Sequence, residues 1–201
     1  LAPLVRLIAP RFGVITSIGR EHLEFFGDLN GVVQEEGWLA ELLPADGVLF
    51  VNGDCAGMDA IIARTRARVV RVGSGAGNDW RASDVRVDER GAAFTVTSPH
   101  AACNGAYRIG LLGRHQVFNA LLAAAVGAEL GLSREQIGRA LAGCTPPKMR
   151  LQLWEAHGVR VLDDAYNANA DSMLAALQTL HDLPCAGRRV AVLGDMGELG
   201  A

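Results

Sequence analysis

The chain has 201 residues and a formal net charge of −3 at pH 7. That charge argues against a protein that binds nucleic acid or anionic membranes through a general basic surface, so no nucleic-acid partner is expected. Apolar residues make up 50% and charged residues 20%, which predicts a folded protein with a sizeable core, in one or two domains. No apolar run reaches the length of about 18 residues that a transmembrane helix needs, so no membrane insertion is expected.

The four cysteines are isolated in the sequence, at positions 55, 103, 144 and 185. None of them lies in CxxC spacing, which argues against a zinc knuckle or a dithiol redox site. We interpret them as small buried apolar side chains in a reducing compartment, and the sequence therefore predicts a cytoplasmic protein.

The first third of the chain alternates strands and helices. After a helix end and a turn, apolar β-rich runs predict buried strands, and periodic segments between them predict helices, the first of which has Asp28 as a plausible N-cap. The strands are 13–18, 47–52 and 68–73, and the helices are 28–43 and 56–67. This β-α-β-α-β order is the signature of a parallel sheet with covering helices.

The pattern changes at about residue 74. Segments 81–88, 92–98 and 106–113 alternate apolar and polar residues around turn signals, which predicts a small antiparallel meander. Two helices follow at 114–131 and 133–144, the second of them with Ser133 at its N-cap.

A second α/β unit is predicted to begin near Arg150. Short strands at 151–156 and 159–164 flank a His-Gly turn, and a helix at 171–183 and a buried strand at 188–196 follow. We therefore divide the chain into domains 1–149 and 150–201. Because about 50 residues are few for a whole domain, we expect the chain to be a fragment or part of a longer protein.

His22 lies in a loop after the first strand, at the sheet edge where α/β folds place ligands. Its imidazole could bind a metal together with nearby glutamates, among them Glu35 and Glu36. The alternative is a loop histidine that is hydrogen-bonded to the backbone.

The start of helix 114–131 carries polar residues ahead of an apolar stripe. Free N–H groups and the helix dipole make such an end suitable for phosphate, which Arg114 and His115 could face. Asn119, on the next turn, could read the edge of a base with its amide. The alternative is a solvated helix start above a buried alanine-rich face.

Polar residues also follow the strand that ends at Asp163 and Asp164. Strand-end carboxylates commonly bind ribose hydroxyls or Mg²⁺, and the amides of Asn167 and Asn169 can donate to phosphate. A simple turn with a helix N-cap is the alternative, and it accounts for Asn169 and Asp171. The Gly-rich segment 192–200 is a weaker candidate of the same kind, either a ligand-facing loop or an ordinary connection.

No GxxxxGK[ST] phosphate-binding loop occurs in the sequence. If the protein hydrolyses ATP, we expect that loop to lie upstream of Leu1, and the chain by itself to be inactive.

Four segments, in this order, together resemble the Mur ligase family, the ATP-dependent amide ligases of peptidoglycan synthesis. They are ITSIGREHLEFFG, GRHQVFNALLAAA, DDAYNANADSM and VLGDMGELG. The resemblance implies a central ATP-binding domain without its P-loop part at 1–149 and the beginning of a Rossmann-like C-terminal domain at 150–201.

The string DDAYNANADSM is the most specific of the four, and it is similar to the family member that acts on UDP-N-acetylmuramoyl-tripeptide. The implied reaction adds D-alanyl-D-alanine to that tripeptide through an acyl phosphate, with ATP and Mg²⁺, in a monomer. The alternatives are a sister ligase, a folylpolyglutamate synthase-like ligase, or a non-catalytic nucleotide-binding module.

The resemblance also implies roles for single residues. Asn119 would contact adenine, with Arg114 and His115 at the same helix start, and Asp164 would hold the ribose. The residues implied to line the nucleotide cleft from the C-terminal side are Tyr166, Asn167 and Asn169.

The implied catalytic residues are His22, Glu36 and Arg150. Arg150, at the domain hinge, would reach the ATP phosphates, and His22 would bind a second Mg²⁺. The family often has a carbamylated lysine where this chain has Glu36, and glutamate offers Mg²⁺ the same kind of oxygen ligand. Glu36 could bind directly, Glu36 or Glu35 could act through water, or the metal site could be altered.

Overall fold

The computed structural model describes residues 1–20 and 23–197. Its main feature is one mixed sheet of six strands in the order of the chain. The strands are β1 Phe12–Ile15, β2 Val48–Asn52, β3 Arg68–Gly73, β4 Trp80–Asp88, β5 Gly91–Thr97 and β6 Gly105–Ile109. Neighbours from β1 to β4 pair in parallel, and those from β4 to β6 pair antiparallel.

The predicted parallel sheet and meander are therefore both present, and they form one continuous sheet. The two parts join where Val72 of β3 pairs with Trp80 of β4. The helices of this unit are α1 Ala2–Ile8, α2 Leu23–Phe26, α3 Leu29–Leu42, α4 Met58–Ile62, α5 His115–Glu129 and α6 Arg134–Ala142. Helix α4 is shorter than the predicted 56–67, because it begins only after Gly57 and ends at Ile62.

Both faces of the sheet are covered, as the apolar run of β2 shows. Val48 and Phe50 pack into a core cluster with α5, while Leu49 and Val51 pack on the opposite face with α3 and α4. Successive strand residues point to opposite faces of the sheet. A strand that is covered on both faces is therefore apolar at nearly every position, as β2 is.

The second unit consists of a hairpin and a helix. Strands β7 Gln152–Ala156 and β8 Val159–Asp163 pair antiparallel, and α7 spans Ala170–Asp182. His157 and Gly158 both have positive φ, which suits the two-residue turn predicted there. Leu112 of the first unit packs with Leu151 and Leu183 of the second in a small apolar cluster that holds the two together.

The predicted strand at 188–196 is wrong. This segment pairs with no strand among the described residues, and the side chains of Val190, Val192 and Leu193 are exposed. An apolar run forms a strand only where a neighbouring strand can take up its backbone hydrogen bonds. The last three residues of segment 192–200, and residue 201 after it, lie outside the described range. Within that range, no helix has the length and apolar character to cross a membrane.

Candidate nucleotide site

A cleft of about 290 Å³ lies between the start of α5 and the chain that links the two units. Its walls are largely apolar, with one amide and one guanidinium, a composition that suits a flat heterocyclic base carrying a charged tail. The lining residues are Leu111, Leu112, Gln116, Pro146, Pro147, Arg150 and Leu151. The residues present therefore fit a nucleotide.

Asn119 belongs to this region through its neighbour on the helix. Its amide nitrogen donates to the side-chain oxygen of Gln116 at 3.1 Å, and Gln116 lines the cleft. Residues three apart share one face of a helix, so the exposed Asn119 lies one turn beyond the cleft wall. The two linked amides present donors and acceptors for the edge of a base.

His115, the first residue of α5, is packed between the two units. A β-carbon built on Gly113 would lie 2.5 Å from its Cε1 and 3.0 Å from Oγ1 of Thr179 in α7, so this contact leaves no room for a side chain at Gly113. Burial lowers the pKa of His115, and the nearby Asp164 carboxylate opposes that effect only in part. The lowered pKa favours the neutral imidazole, which is suited to hydrogen bonding rather than to supplying positive charge.

The guanidinium of Arg114 is directed to the second unit. Its Nε donates to the Asp182 carboxylate of α7 at 3.1 Å. Arg114 is thus held beside the start of α5 by an ion pair that crosses between the units.

Three of the predicted site residues lie together at the hinge, which is the segment 149–151 between the two units. The backbone N–H of Tyr166 donates to the carbonyl of Met149, and that of Leu151 donates to the Asp164 carboxylate at 3.0 Å. The guanidinium carbon of Arg150 lies 4.2 Å from the centre of the Tyr166 ring, within the range of a cation–π contact. Arg150, Asp164 and Tyr166 are therefore neighbours.

Strained backbone flanks Arg150, a feature that the sequence did not reveal. Met149 and Leu151 have φ values of 60° and 46°, in the left-handed region that non-glycine residues rarely adopt. Such strain is kept only where surrounding contacts enforce it, and it is common at functional sites. A left-handed Met or Leu has no sequence signal, whereas a glycine at either position would have had one.

Asn169 is the N-cap of α7. Its side-chain oxygen accepts from the backbone N–H of Ser172 at 2.7 Å, and the Ser172 hydroxyl in turn accepts from the N–H of Asn169. This is the capping interaction that the sequence offered as an alternative, and it leaves the amide N–H groups of Asn169 as donors. Asn167, two residues earlier, is exposed at the surface.

The predicted metal ligands are only partly covered by the structure. His22 lies outside the described residues, and Glu36 is half-buried on α3. Among the described residues, no three His, Cys, Asp or Glu side chains are grouped so as to hold a metal ion. The pairing of His22 with Glu36 stays a prediction.

Two family models match the chain. The Mur ligase middle domain matches residues 2–127, and the Mur ligase glutamate ligase domain matches residues 149–201. The chain belongs to the Mur ligase family. The six-stranded mixed sheet with its helices and the small antiparallel hairpin agree with the fold expected from the resemblance.

The relatives of this Mur ligase chain include one curated ligase and two solved structures. The chain is 39% identical to the UDP-N-acetylmuramoyl-tripeptide–D-alanyl-D-alanine ligase of Mycobacterium bovis over an alignment of 206 positions. This alignment covers 100% of the chain and 40% of that protein. MurF from Acinetobacter baumannii superposes with a TM-score of 0.88 at 30% identity, covering 97% of the chain and 42% of that structure.

A third relative shares the fold. MurF from Thermotoga maritima, solved in complex with ADP, superposes with a TM-score of 0.86 at 22% identity and covers 99% of the chain and 45% of that structure. The chain spans about 40% of the length of the curated relatives that it matches.

Proposed function

We propose that this chain is the nucleotide-facing part of a ligase that adds D-alanyl-D-alanine to UDP-N-acetylmuramoyl-tripeptide at the expense of ATP. The observation that carries the proposal is the 39% identity to a ligase of that name along the whole chain. It is supported by the cleft at the hinge, which Arg150 lines, and by the contacts of Asp164 with Leu151 and of Tyr166 with Arg150 beside it.

In this proposal the cleft takes the adenosine part of ATP. Asn119, linked to Gln116, reads the adenine edge, and Asp164 accepts hydrogen bonds from the ribose hydroxyls once it releases the backbone N–H of Leu151. Arg114 and His115 stand at the α5 start. The residues proposed to line the cleft from the second unit are Tyr166, Asn167 and Asn169.

Arg150 is proposed to neutralise phosphate oxygens. Its guanidinium is held over Tyr166 at the edge of the cleft, so its positive charge lies beside a nucleotide bound there. His22 and Glu36 would hold Mg²⁺. When bound, that ion supplies charge neutralisation at the transferring phosphoryl group.

The reaction is an amide ligation. The terminal carboxylate of the tripeptide attacks the γ-phosphate of ATP, which gives an acyl phosphate and ADP. The amine of D-alanyl-D-alanine then attacks the acyl carbon, an amide bond forms, and inorganic phosphate leaves with the proton balance closed by solvent. Closure at the hinge would exclude water from the hydrolysable acyl phosphate.

The proposed domain boundary falls between residues 149 and 150, at the strained hinge. We also propose a cytoplasmic monomer. None of the four cysteines forms a disulfide, which is in keeping with a reducing compartment. The expectation that all four are buried is wrong, because only Cys103 is buried, Cys55 and Cys185 are half-buried and Cys144 is exposed.

The test is phosphate release by the full-length protein with ATP, Mg²⁺ and UDP-N-acetylmuramoyl-tripeptide, with and without D-alanyl-D-alanine. We expect release that depends on the dipeptide. Nucleotide binding without release for any amine would overturn the proposal in favour of a binding module.

The metal role of Glu36 has its own test. Glu36→Ala removes the proposed oxygen ligand, so we expect the Mg²⁺ concentration for half-maximal phosphate release to rise roughly tenfold or more, as one lost charged contact implies. Glu41→Ala is the matched control, because Glu41 lies on the same helix and pairs with Arg64, and it should leave that concentration unchanged. An unchanged Mg²⁺ requirement in Glu36→Ala would remove Glu36 from the metal site.

A further inference from the structure

One carboxylate joins the loop after β1 to the start of α7. The backbone N–H of Arg20 donates to Oδ2 of Asp171 at 2.9 Å, and Nε of the same arginine donates to Oδ1 at 3.1 Å. The two residues are 151 positions apart in the sequence and belong to different units. The carboxylate therefore fixes both the main chain and the side chain of Arg20.

The other end of α7 is held in a related way. Asp182 accepts from Nε of Arg114 at 3.1 Å and from the Gln178 amide at 2.7 Å. Between the two ends, the buried Thr179 of α7 packs closely against Gly113 of the first unit. A side chain at Gly113 would collide with it. An arginine of the first unit thus anchors each end of the helix.

The Arg20–Asp171 contact lies between two segments that the proposed function uses. Asp171 is two residues after the N-cap Asn169, within the string DDAYNANADSM. Arg20 is two residues before His22 in the sequence. A shift of α7 against the loop after β1 would therefore change how the two halves of the site face each other.

Arg20 and Asp171 remain charged across the physiological range. The hydrogen bond from the Arg20 side chain is the largest cause that lowers the pKa of Asp171, and the backbone N–H of Arg20 adds to it. The position of Asp171 in the first turn of α7 also favours its negative charge.

We propose that Arg20 and Asp171 are positioning residues that set the placement of α7, and with it the nucleotide-facing residues of the second unit, against the first unit. This inference rests on the proposed function. An isolated exposed ion pair contributes little because solvent screens it. This contact differs in holding a backbone amide as well, and it acts together with the Arg114–Asp182 ion pair and the small apolar cluster that also join the two units.

The kinetic test uses the full-length protein with Arg20→Ala and Asp171→Asn. The placement of α7 determines how the second unit contacts the nucleotide, so its loss should weaken ATP binding more than it slows the chemical step. We therefore expect the KM for ATP to rise about five- to tenfold while kcat changes less than about twofold. Exchanging the charges, Arg20→Asp with Asp171→Arg, should recover part of the loss. The control is Arg11→Ala, which removes an exposed ion pair to Asp46 away from α7 and should change neither constant.

A second measurement does not depend on activity. Hydrogen exchange of the backbone amides at 170–173 in the full-length protein should become faster in Arg20→Ala and stay at the wild-type rate in Arg11→Ala. Wild-type exchange together with a wild-type KM in Arg20→Ala would overturn the inference. A wild type that ligates nothing, with exchange still faster in Arg20→Ala, would instead overturn the proposed function and leave the contact standing.

Discussion

At the scale of single residues, the Asp54 carboxylate organises the loop that follows β3. It accepts from the Ser74 hydroxyl at 2.8 Å, from the backbone N–H of Gly75 at 3.1 Å and from the Asn78 amide at 2.6 Å. Burial raises the pKa of Asp54, but the hydrogen bonds from Ser74, Asn78 and Gly75 outweigh that effect and lower the pKa overall. The carboxylate therefore closes the loop through its negative charge.

Asp54→Asn should destabilise the protein. An amide oxygen replaces only part of the acceptor capacity and carries no charge, so we expect the free energy of unfolding in urea to fall by about 1–2 kcal/mol. Asp59→Asn is the matched control, because Asp59 makes one exposed ion pair with Arg71. Equal losses in the two variants would contradict the role given to Asp54.

His115 predicts a pH dependence of stability. Its pKa is lowered from 6.5 in the folded protein, chiefly by burial, so the unfolded chain binds the proton more readily. The free energy of unfolding should therefore fall as the pH drops through about 6.5 towards the folded pKa, and His115→Gln should show a flatter profile there. The carboxylates with lowered pKa lose their contribution only at more acidic pH. Thermal unfolding from about pH 7.5 to 5.5 checks this, and parallel profiles for the two proteins would refute it.

At the scale of elements, local signals predicted most of the fold. The N-cap Asp28, whose side chain accepts from the Gly31 N–H at 2.9 Å, and the capping box at Ser133 mark helix starts that are visible in the sequence. The prediction of a strand at 188–196 was wrong because the local pattern of the segment matches a strand, whereas a strand also needs a neighbouring strand. The presence of that neighbour depends on tertiary structure and cannot be seen in the local sequence. The predicted range of helix α4 was too long because no local sequence signal marks its end at Ile62.

The candidate site was predictable to a similar degree. Asn119 and Gln116 are three apart on one helix, so their link follows from helical spacing. The contact of Arg150 with Tyr166 lies between two left-handed residues, Met149 and Leu151, and because neither is a glycine this backbone path has no signal in the sequence. For Asn169, the sequence allowed both a cap and a ligand donor, and the structure shows the cap.

The β4–β5 hairpin depends on Gly91. Its φ is +118°, and a β-carbon there would lie 1.9 Å from the backbone oxygen of Ile109. We expect Gly91→Ala to lower the free energy of unfolding by about 2–3 kcal/mol, because neither the dihedral nor the neighbouring backbone can yield cheaply. Gly77→Ala, where a β-carbon meets nothing within 4 Å, is the control and should be close to neutral in urea denaturation. A near-neutral Gly91→Ala would show that this hairpin can rearrange.

At the scale of the whole molecule, the candidate site lies between two units rather than within one. The apolar contact of Leu112, Leu151 and Leu183 holds the units together, and the ion pairs at the two ends of α7 orient them. The cleft takes its walls from the α5 start and the hinge, so a relative movement of the units changes its shape. This arrangement suits a reaction in which nucleotide binding and exclusion of water are coupled.

The most direct test of the proposed function is the identity of the ligation product. The full-length protein, given ATP, Mg²⁺ and UDP-N-acetylmuramoyl-tripeptide, would be offered D-alanyl-D-alanine or single amino acids, and the products would be weighed by mass spectrometry. We predict one new product, heavier than the tripeptide substrate by a D-alanyl-D-alanine residue pair, formed only with the dipeptide. A product that carries a single amino acid, or none with any amine despite ATP binding, would contradict the proposal.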